Sequence, residues 1–300
     1  MRRIAAAIAA LAFALVACSA TPPSADGRLR VVATTTQVGS VAAEVGGDAI
    51  ALTILLEPGV EAHDFELGPE DGAALERADL VLVSGAGLED WLADTLATIG
   101  VEERVRDLSD GIELRRPDPD AEVDPHYWMS GPNAIRMVEN ARDALEAADP
   151  DEAGAYADRA GTVIDRLEAA DEEVRGLIEE IPAADRRVVT DHDALGYFLD
   201  EYGLEFVGSI FPSLDVSAEP SARDIEALVT RIRAERIPAI FTESALDPRL
   251  ARAVAEETDA RLVDDPLYTD SLGPPGSGAD TLDGMLVHNA MVIRDGLAGA

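Results

Sequence analysis

Residues 149–181 read DPDEAGAYADRAGTVIDRLEAADEEVRGLIEEI, and this stretch decides the fold. Val163, Ile164, Leu167, Ala170, Val174, Leu177 and Ile178 recur every three or four positions, with charged residues between them. That is the period of a helix with one apolar stripe. No proline interrupts the run between Pro150 and Pro182. The pattern predicts one long helix, with Gly161 as the place for a kink; two helices joined by a turn are the alternative.

On either side of this helix the pattern changes to alternating strands and helices. Before it, Leu29–Ala33, Ile50–Leu56 and Leu80–Val83 read as strands. Val38–Val45, Glu70–Ala78 and Leu88–Ile99 read as the helices between and after them, and a further helix starts near Pro132. After it, Arg187–Thr190, Glu205–Ile210, Ala239–Thr242 and Arg261–Asp264 read as strands. Their helices are Ala194–Tyr202, Arg223–Glu235, a segment opened by Asp247-Pro248, and Thr281–Leu297. Such alternation predicts parallel sheets covered by helices. The expected fold class is therefore α/β: two parallel-sheet lobes, 29–148 and 183–300, bridged by one long helix over 149–182.

The first 28 residues read as processing rather than fold. Met1-Arg2-Arg3 is a positive start, and Ile4–Ala17 is uncharged, apolar and too short to span a bilayer. Leu15-Val16-Ala17-Cys18 resembles the lipobox of bacterial lipoproteins, in which the cysteine is acylated after cleavage. Residues 1–17 are then a signal peptide, Cys18 the lipidation site, and 18–28 a tether rich in small and polar residues. Cys18 is the only cysteine, so no intramolecular disulfide can form.

The chain carries 59 acidic and 24 basic residues, a formal net charge of −35. Gripping nucleic acid needs clustered lysine and arginine, so that class of partner is excluded. The same charge favours a monomer that attracts cations.

Three of the four histidines share a context. His63 follows the Ile50–Leu56 strand, His126 lies in a Pro-containing segment before a helix, and His192 sits between a strand and a helix. Ligands of open α/β sheets gather at the carboxyl ends of strands, so a crevice between lobes can collect all three. Three imidazoles suit a tetrahedral transition metal and leave one position for a carboxylate. Asp270 and Asp280, both after the last strand, are candidates. The spacing of the histidines matches no short local metal motif. His288, inside the apolar run MLVHNAMV, reads as a packing residue. Trp91 and Trp128 read as core, Asp191 and Asp193 as solvated acids, and Glu243 as a neighbour of the crevice rather than a ligand.

From about Val31 to Ile293 the sequence resembles the metal-binding solute-binding lipoproteins of bacterial zinc and manganese ABC transporters (cluster A-I). The resemblance is carried by LEPGVEAHDFELGPED, ADLVLVSGAGLEDWL, DPHYWMSGPNAIRM, RRVVTDHDALGYFLDEYGLE, IPAIFTESALDPRLARAVAEETDA and LYTDSLG. It implies that His63, His126, His192 and Asp270 bind the metal. It also implies two α/β lobes bridged by a helix, an ABC permease as partner, and a lipid-anchored place on the extracytoplasmic face of the cell membrane. Ala62 stands where the family usually has proline, and Phe65 where it usually has tyrosine. The His-rich acidic loop of many dedicated zinc importers is absent between His63 and His126: Arg116–Asp124 is acidic without histidine. Zinc is the expected ion and manganese the alternative. A zinc-dependent hydrolase would need a position for water and a nearby base, and no HExxH motif or nucleophile elbow is present. A surface adhesin would need an exposed aromatic patch, and aromatics make up only 4% of the chain. The chain is expected not to be an enzyme.

Overall fold

A computed structural model describes residues 27–117, 121–214, 216 and 219–298. The signal peptide, Cys18 and nearly all of the expected tether lie outside the described residues.

The first half is a four-stranded parallel sheet. Strands β1 (Leu29–Ala33), β2 (Ile50–Ile54), β3 (Leu80–Val83) and β4 (Val105–Asp107) lie in the order β2-β1-β3-β4. Of the two central strands, β3 is a continuous apolar run with all four residues buried, and β1 buries Val31–Ala33 after the half-buried Leu29 and Arg30. The edges are marked by Thr53 and Ile54, both exposed, and by β4, which has only three residues. That short strand carries almost no periodic signal, which is why the sequence does not announce it. Helices α1 (Thr36–Gly46), α2 (Pro69–Arg77) and α3 (Asp90–Ile99) connect the strands. Thr35 caps α1 by accepting from the Val38 N–H at 3.3 Å.

The long helix is real and single. Helix α4 (Gly131–Ala148) ends at Asp149, one short 3-10 turn follows over Pro150–Glu152, and α5 (Ala153–Glu179) then runs unbroken past Gly161. Tyr156, Ala160, Val163, Leu167, Ala170, Val174 and Ile178 form its buried stripe. That stripe packs against α4, α1 and the closing helix α9 (Leu282–Ala298). Polar contacts fix its register. Arg159 donates to the Val45 and Gly46 carbonyls (2.6 and 2.9 Å), satisfying the open end of α1, and Arg166 joins Glu44 of α1 to Asp283 of α9. The main apolar core consequently runs without a break from Val31 and Leu82 through α5 to Phe198, Phe241 and Leu286. A smaller second cluster, around Val189, Val207, Ile232 and Val254, lies wholly in the second half.

That second half holds β5 (Arg187–Thr190), β6 (Glu205–Ser209), β7 (Ala239–Glu243) and β8 (Arg261–Leu267), with α6 (Gly196–Tyr202), α7 (Ala222–Glu235) and α8 (Arg249–Thr258). Its strands form two parallel pairs, β5-β6 and β7-β8, rather than one continuous ladder. Strands β5 and β7 run side by side. Where they end, side chains join them: Asp191 Oδ2 accepts from the Glu243 N–H at 2.9 Å, and Glu243 Oε1 accepts from the His192 N–H at 2.8 Å. Buried N–H groups need acceptors, and two carboxylates supply them here.

Candidate metal centre

The strand ends deliver the four expected ligands to one place. His192 and Asp270 follow β5 and β8 by two and three residues, while His63 and His126 arrive on longer loops after β2 and β4. One donor atom from each of His63, His126, His192 and Asp270 lies within 4.8 Å of all the others. His63 Nε2 and His126 Nε2 are 3.1 Å apart. Asp270 Oδ1 is 3.0 Å from His126 Nε2, and Oδ2 is 3.1 Å from His192 Nε2. His126, His192 and Asp270 are buried, whereas the His63 side chain keeps 12% exposure. A crevice of about 540 Å³, lined by His63, Asp64, Asp90 and Glu122 among others, opens on that side.

Both Asp270 oxygens and both ring nitrogens of His192 are buried without a hydrogen bond of regular geometry. A buried carboxylate left in this way is costly unless a cation meets it. Burial alone would raise the Asp270 pKa, but the neighbouring His192 and His126 rings overcome this and hold it well below the usual carboxylate range. Burial alone would likewise lower His126. The Asp270 and Asp124 carboxylates reverse that and push it up to about 9. His192 is moved the same way, against its burial, by Glu243 and Asp270.

A surrounding layer holds the donors in place. Asp124 Oδ1 accepts from the His126 N–H at 3.0 Å and lies 2.8 Å from its Nδ1. Glu243 Oε2 lies 2.8 Å from His192 Nδ1, a close charge contact rather than an aligned hydrogen bond, and accepts from Thr269 Oγ1 at 2.6 Å. In each histidine this turns Nδ1 toward a carboxylate and leaves Nε2 for an ion. Trp91 donates to the Ala62 carbonyl (2.9 Å) beside His63, and Trp128 donates to the Thr269 carbonyl (3.0 Å) beside Asp270. Gln37 donates to that same carbonyl at 2.9 Å. Thr36 accepts from the Leu272 N–H and Ser271 from the Gly59 N–H, so the Asp270 loop is pinned by the first half of the chain.

Several sequence expectations change here. Asp191 is buried and Asp193 is half-buried, so neither is a freely solvated acid. Burial, with the Glu243 charge beside it, raises Asp191 to about 7. Glu243 is more than a neighbour of the crevice, because it holds both the backbone and the ring of His192. The tryptophans position ligand loops as well as packing. Asp280 is not brought to the cluster; it accepts from the Gly276 N–H in its own loop. His288 meets the Pro266 carbonyl and the Tyr268 ring, as a packing residue does. Glu61 was not singled out in the sequence. One of its oxygens accepts from the His63 N–H at 3.0 Å and the other is buried without a partner.

Three imidazoles and a carboxylate converge between the halves of an α/β chain, a donor set able to hold a divalent ion. Residues 31–296 match the family described as zinc-uptake complex component A, periplasmic (ZnuA). The manganese-binding lipoprotein MntA of Bacillus subtilis (strain 168) is 32% identical over 301 residues, covering 97% of this chain and 98% of that protein. The manganese ABC transporter substrate-binding lipoprotein PsaA of Streptococcus pneumoniae is 27% identical, covering 99% of each chain. Among solved structures, the periplasmic zinc binding protein TroA from Treponema pallidum superposes with a TM-score of 0.85 at 27% identity, over 90% of this chain and 99% of that one. The chain belongs to the family of these metal-uptake binding proteins, whose members bind a substrate for transport rather than turn one over. No helix among the described residues is long and apolar enough to cross a membrane.

Proposed function

We propose that this protein captures a divalent transition metal with His63, His126, His192 and Asp270 and delivers it to the permease of an ABC importer. In this reading residues 29–148 and 183–300 are the lobes that close on the ion, and 149–182 is their link. The protein works as a monomer on the extracytoplasmic face of the membrane, anchored through acylated Cys18. The observation that carries the proposal is the buried Asp270 carboxylate, whose two oxygens face imidazole nitrogens at 3.0 and 3.1 Å without a regular hydrogen bond. An ion there supplies a partner to both Asp270 oxygens and to His192 Nε2.

Zinc is the first choice, because three nitrogens and one carboxylate suit its four-coordinate preference. Manganese is the second. Two observations favour it: the relatives named above include manganese-binding lipoproteins, and both Asp270 oxygens are open to the cluster, which permits bidentate binding and a higher coordination number. The test is to measure the metal content of protein purified without added metal, followed by competition between zinc and manganese. Binding of neither ion, or equal binding by the Asp270→Asn variant, overturns the proposal.

A further inference from the structure

Arg115 lies in the segment between β4 and α4, and its guanidinium faces two carboxylates from different halves of the chain. Nη1 donates to Asp124 Oδ2 at 3.0 Å, and Nε donates to Asp200 Oδ2 on α6 at 2.9 Å. Asp124 is completely buried, and its other oxygen is the one that holds the His126 ring and backbone. The backbone is fastened to the same helix. The Arg115 N–H donates to the Tyr197 hydroxyl at 2.7 Å, and that hydroxyl donates to the Asp124 carbonyl at 2.9 Å. The Asp124 N–H closes the loop by donating to the Arg115 carbonyl at 2.9 Å. Helix α6 begins four residues after His192. A continuous path of short polar contacts therefore joins the first-half ligand His126 to the helix that follows the second-half ligand His192.

The path needs a residue without a side chain. Gly196, the first residue of α6, lies directly under the guanidinium. A Cβ at this position would overlap Arg115 Nη1 and come within 2.7 Å of Asp124 Oδ2. The glycine is not needed for a left-handed turn, because its φ is not positive. Its role is the close approach of Arg115 to Asp124.

We propose that Arg115 is a positioning residue for the captured ion. It fixes His126 through Asp124 and locks that ligand to the half carrying His192, and Gly196 makes room for it. A planar guanidinium holds its N–H donors in a fixed fork, so Nη1 and Nε serve the two carboxylates at once. This inference rests on the proposed function, since it concerns how the same four donors are held.

The test uses the folded chain purified in chelator, with zinc affinity measured by competition and the ligand field read from the visible spectrum of the cobalt(II) form. Loss of a group that orients a metal-bound histidine typically costs about 10- to 100-fold in affinity. Arg115→Met is expected to weaken zinc binding by about tenfold or more and to alter the cobalt spectrum. Arg115→Met also leaves Asp124 buried without its cation and can destabilise the fold, so Gly196→Ala is the decisive variant. Gly196→Ala removes no charge and places a better helix former at a helical position. It should weaken binding and change the cobalt spectrum in the wild-type background, and do so much less in Arg115→Met, where only the approach to Asp124 Oδ2 remains. The inference is overturned if Gly196→Ala leaves affinity and spectrum unchanged, or if its loss adds in full to that of Arg115→Met. A fall in metal-free melting temperature with both readouts unchanged also overturns it, because that is a structural role alone. Failure of the wild type itself to bind zinc, cobalt or manganese overturns the proposed function instead.

Discussion

Ion capture should release protons, and the structure sets the pH range. In the metal-free protein His126 lies between Asp124 and Asp270, which push its pKa up to about 9 against the opposing effect of burial. At pH 7 the ring is therefore protonated, whereas a metal needs it neutral. Well below the pKa each pH unit costs about a factor of ten in apparent affinity, so His126 alone should raise affinity by about 50-fold between pH 7 and pH 9. His192 is shifted in the same direction, so it steepens the dependence. The metal-free fold should respond with the opposite sign. A folded pKa above the ordinary value of 6.5 contributes stability that is fully present below pH 6.5 and lost as pH rises through about 9. The loss is about 3 kcal/mol for His126. Metal should accordingly raise the melting temperature more at pH 8.5 than at pH 6.5. The assay is competition against a chromophoric chelator across this range, with calorimetry in buffers of different ionisation enthalpy to count released protons. An affinity independent of pH, with no proton released at pH 7, would refute the electrostatic account of the site.

Zinc at 100 times its Kd should stabilise the wild type by about 2.7 kcal/mol. His192→Ala should abolish most of that rise in a thermal melt, while His288→Ala keeps it. Because the His192 ring is buried between two carboxylates, its removal should also destabilise the metal-free protein by about 3 kcal/mol in denaturant titrations. Gly296→Ala would force a methyl group into the Phe241 ring and should cost about 1–3 kcal/mol of stability without changing zinc affinity. Cys18→Ser should move the protein from the membrane fraction to the soluble one, and unchanged fractionation would count against the lipid anchor.

Periodicity made most of the fold legible. The α5 stripe, the all-apolar run of β3 and the turn at Gly203 each declare an element from local sequence alone. His63 and His192 were legible by position after a strand, whereas His126 stood only in a Pro-containing segment before a helix, because the three-residue β4 gives no periodic signal. Asp270 was not separable from Asp280 on that ground, and the difference between them is tertiary: one loop is pinned by Gln37 and Trp128, while the other carboxylate closes its own turn. The holding layer was largely invisible for the same reason. Glu243 meets His192 across 51 residues and Gln37 meets Thr269 across 232, so no local pattern could connect them. Burial of Asp191 was missed because an acidic residue next to a histidine reads as surface until the neighbouring strand supplies an N–H for it.

The unbroken core through α5 has a consequence for how such a chain matures. Its contacts join the earliest strand to α9, the last helix among the described residues. A chain crossing a membrane from its N-terminus cannot bury Val31, Leu82 and the α5 stripe fully until α9 has also crossed. Final compaction must then wait for nearly the whole polypeptide, leaving a long partly folded interval open to proteases and chaperones. The same continuity means that heat should unfold the main core in one cooperative step, with no stable product from either half alone.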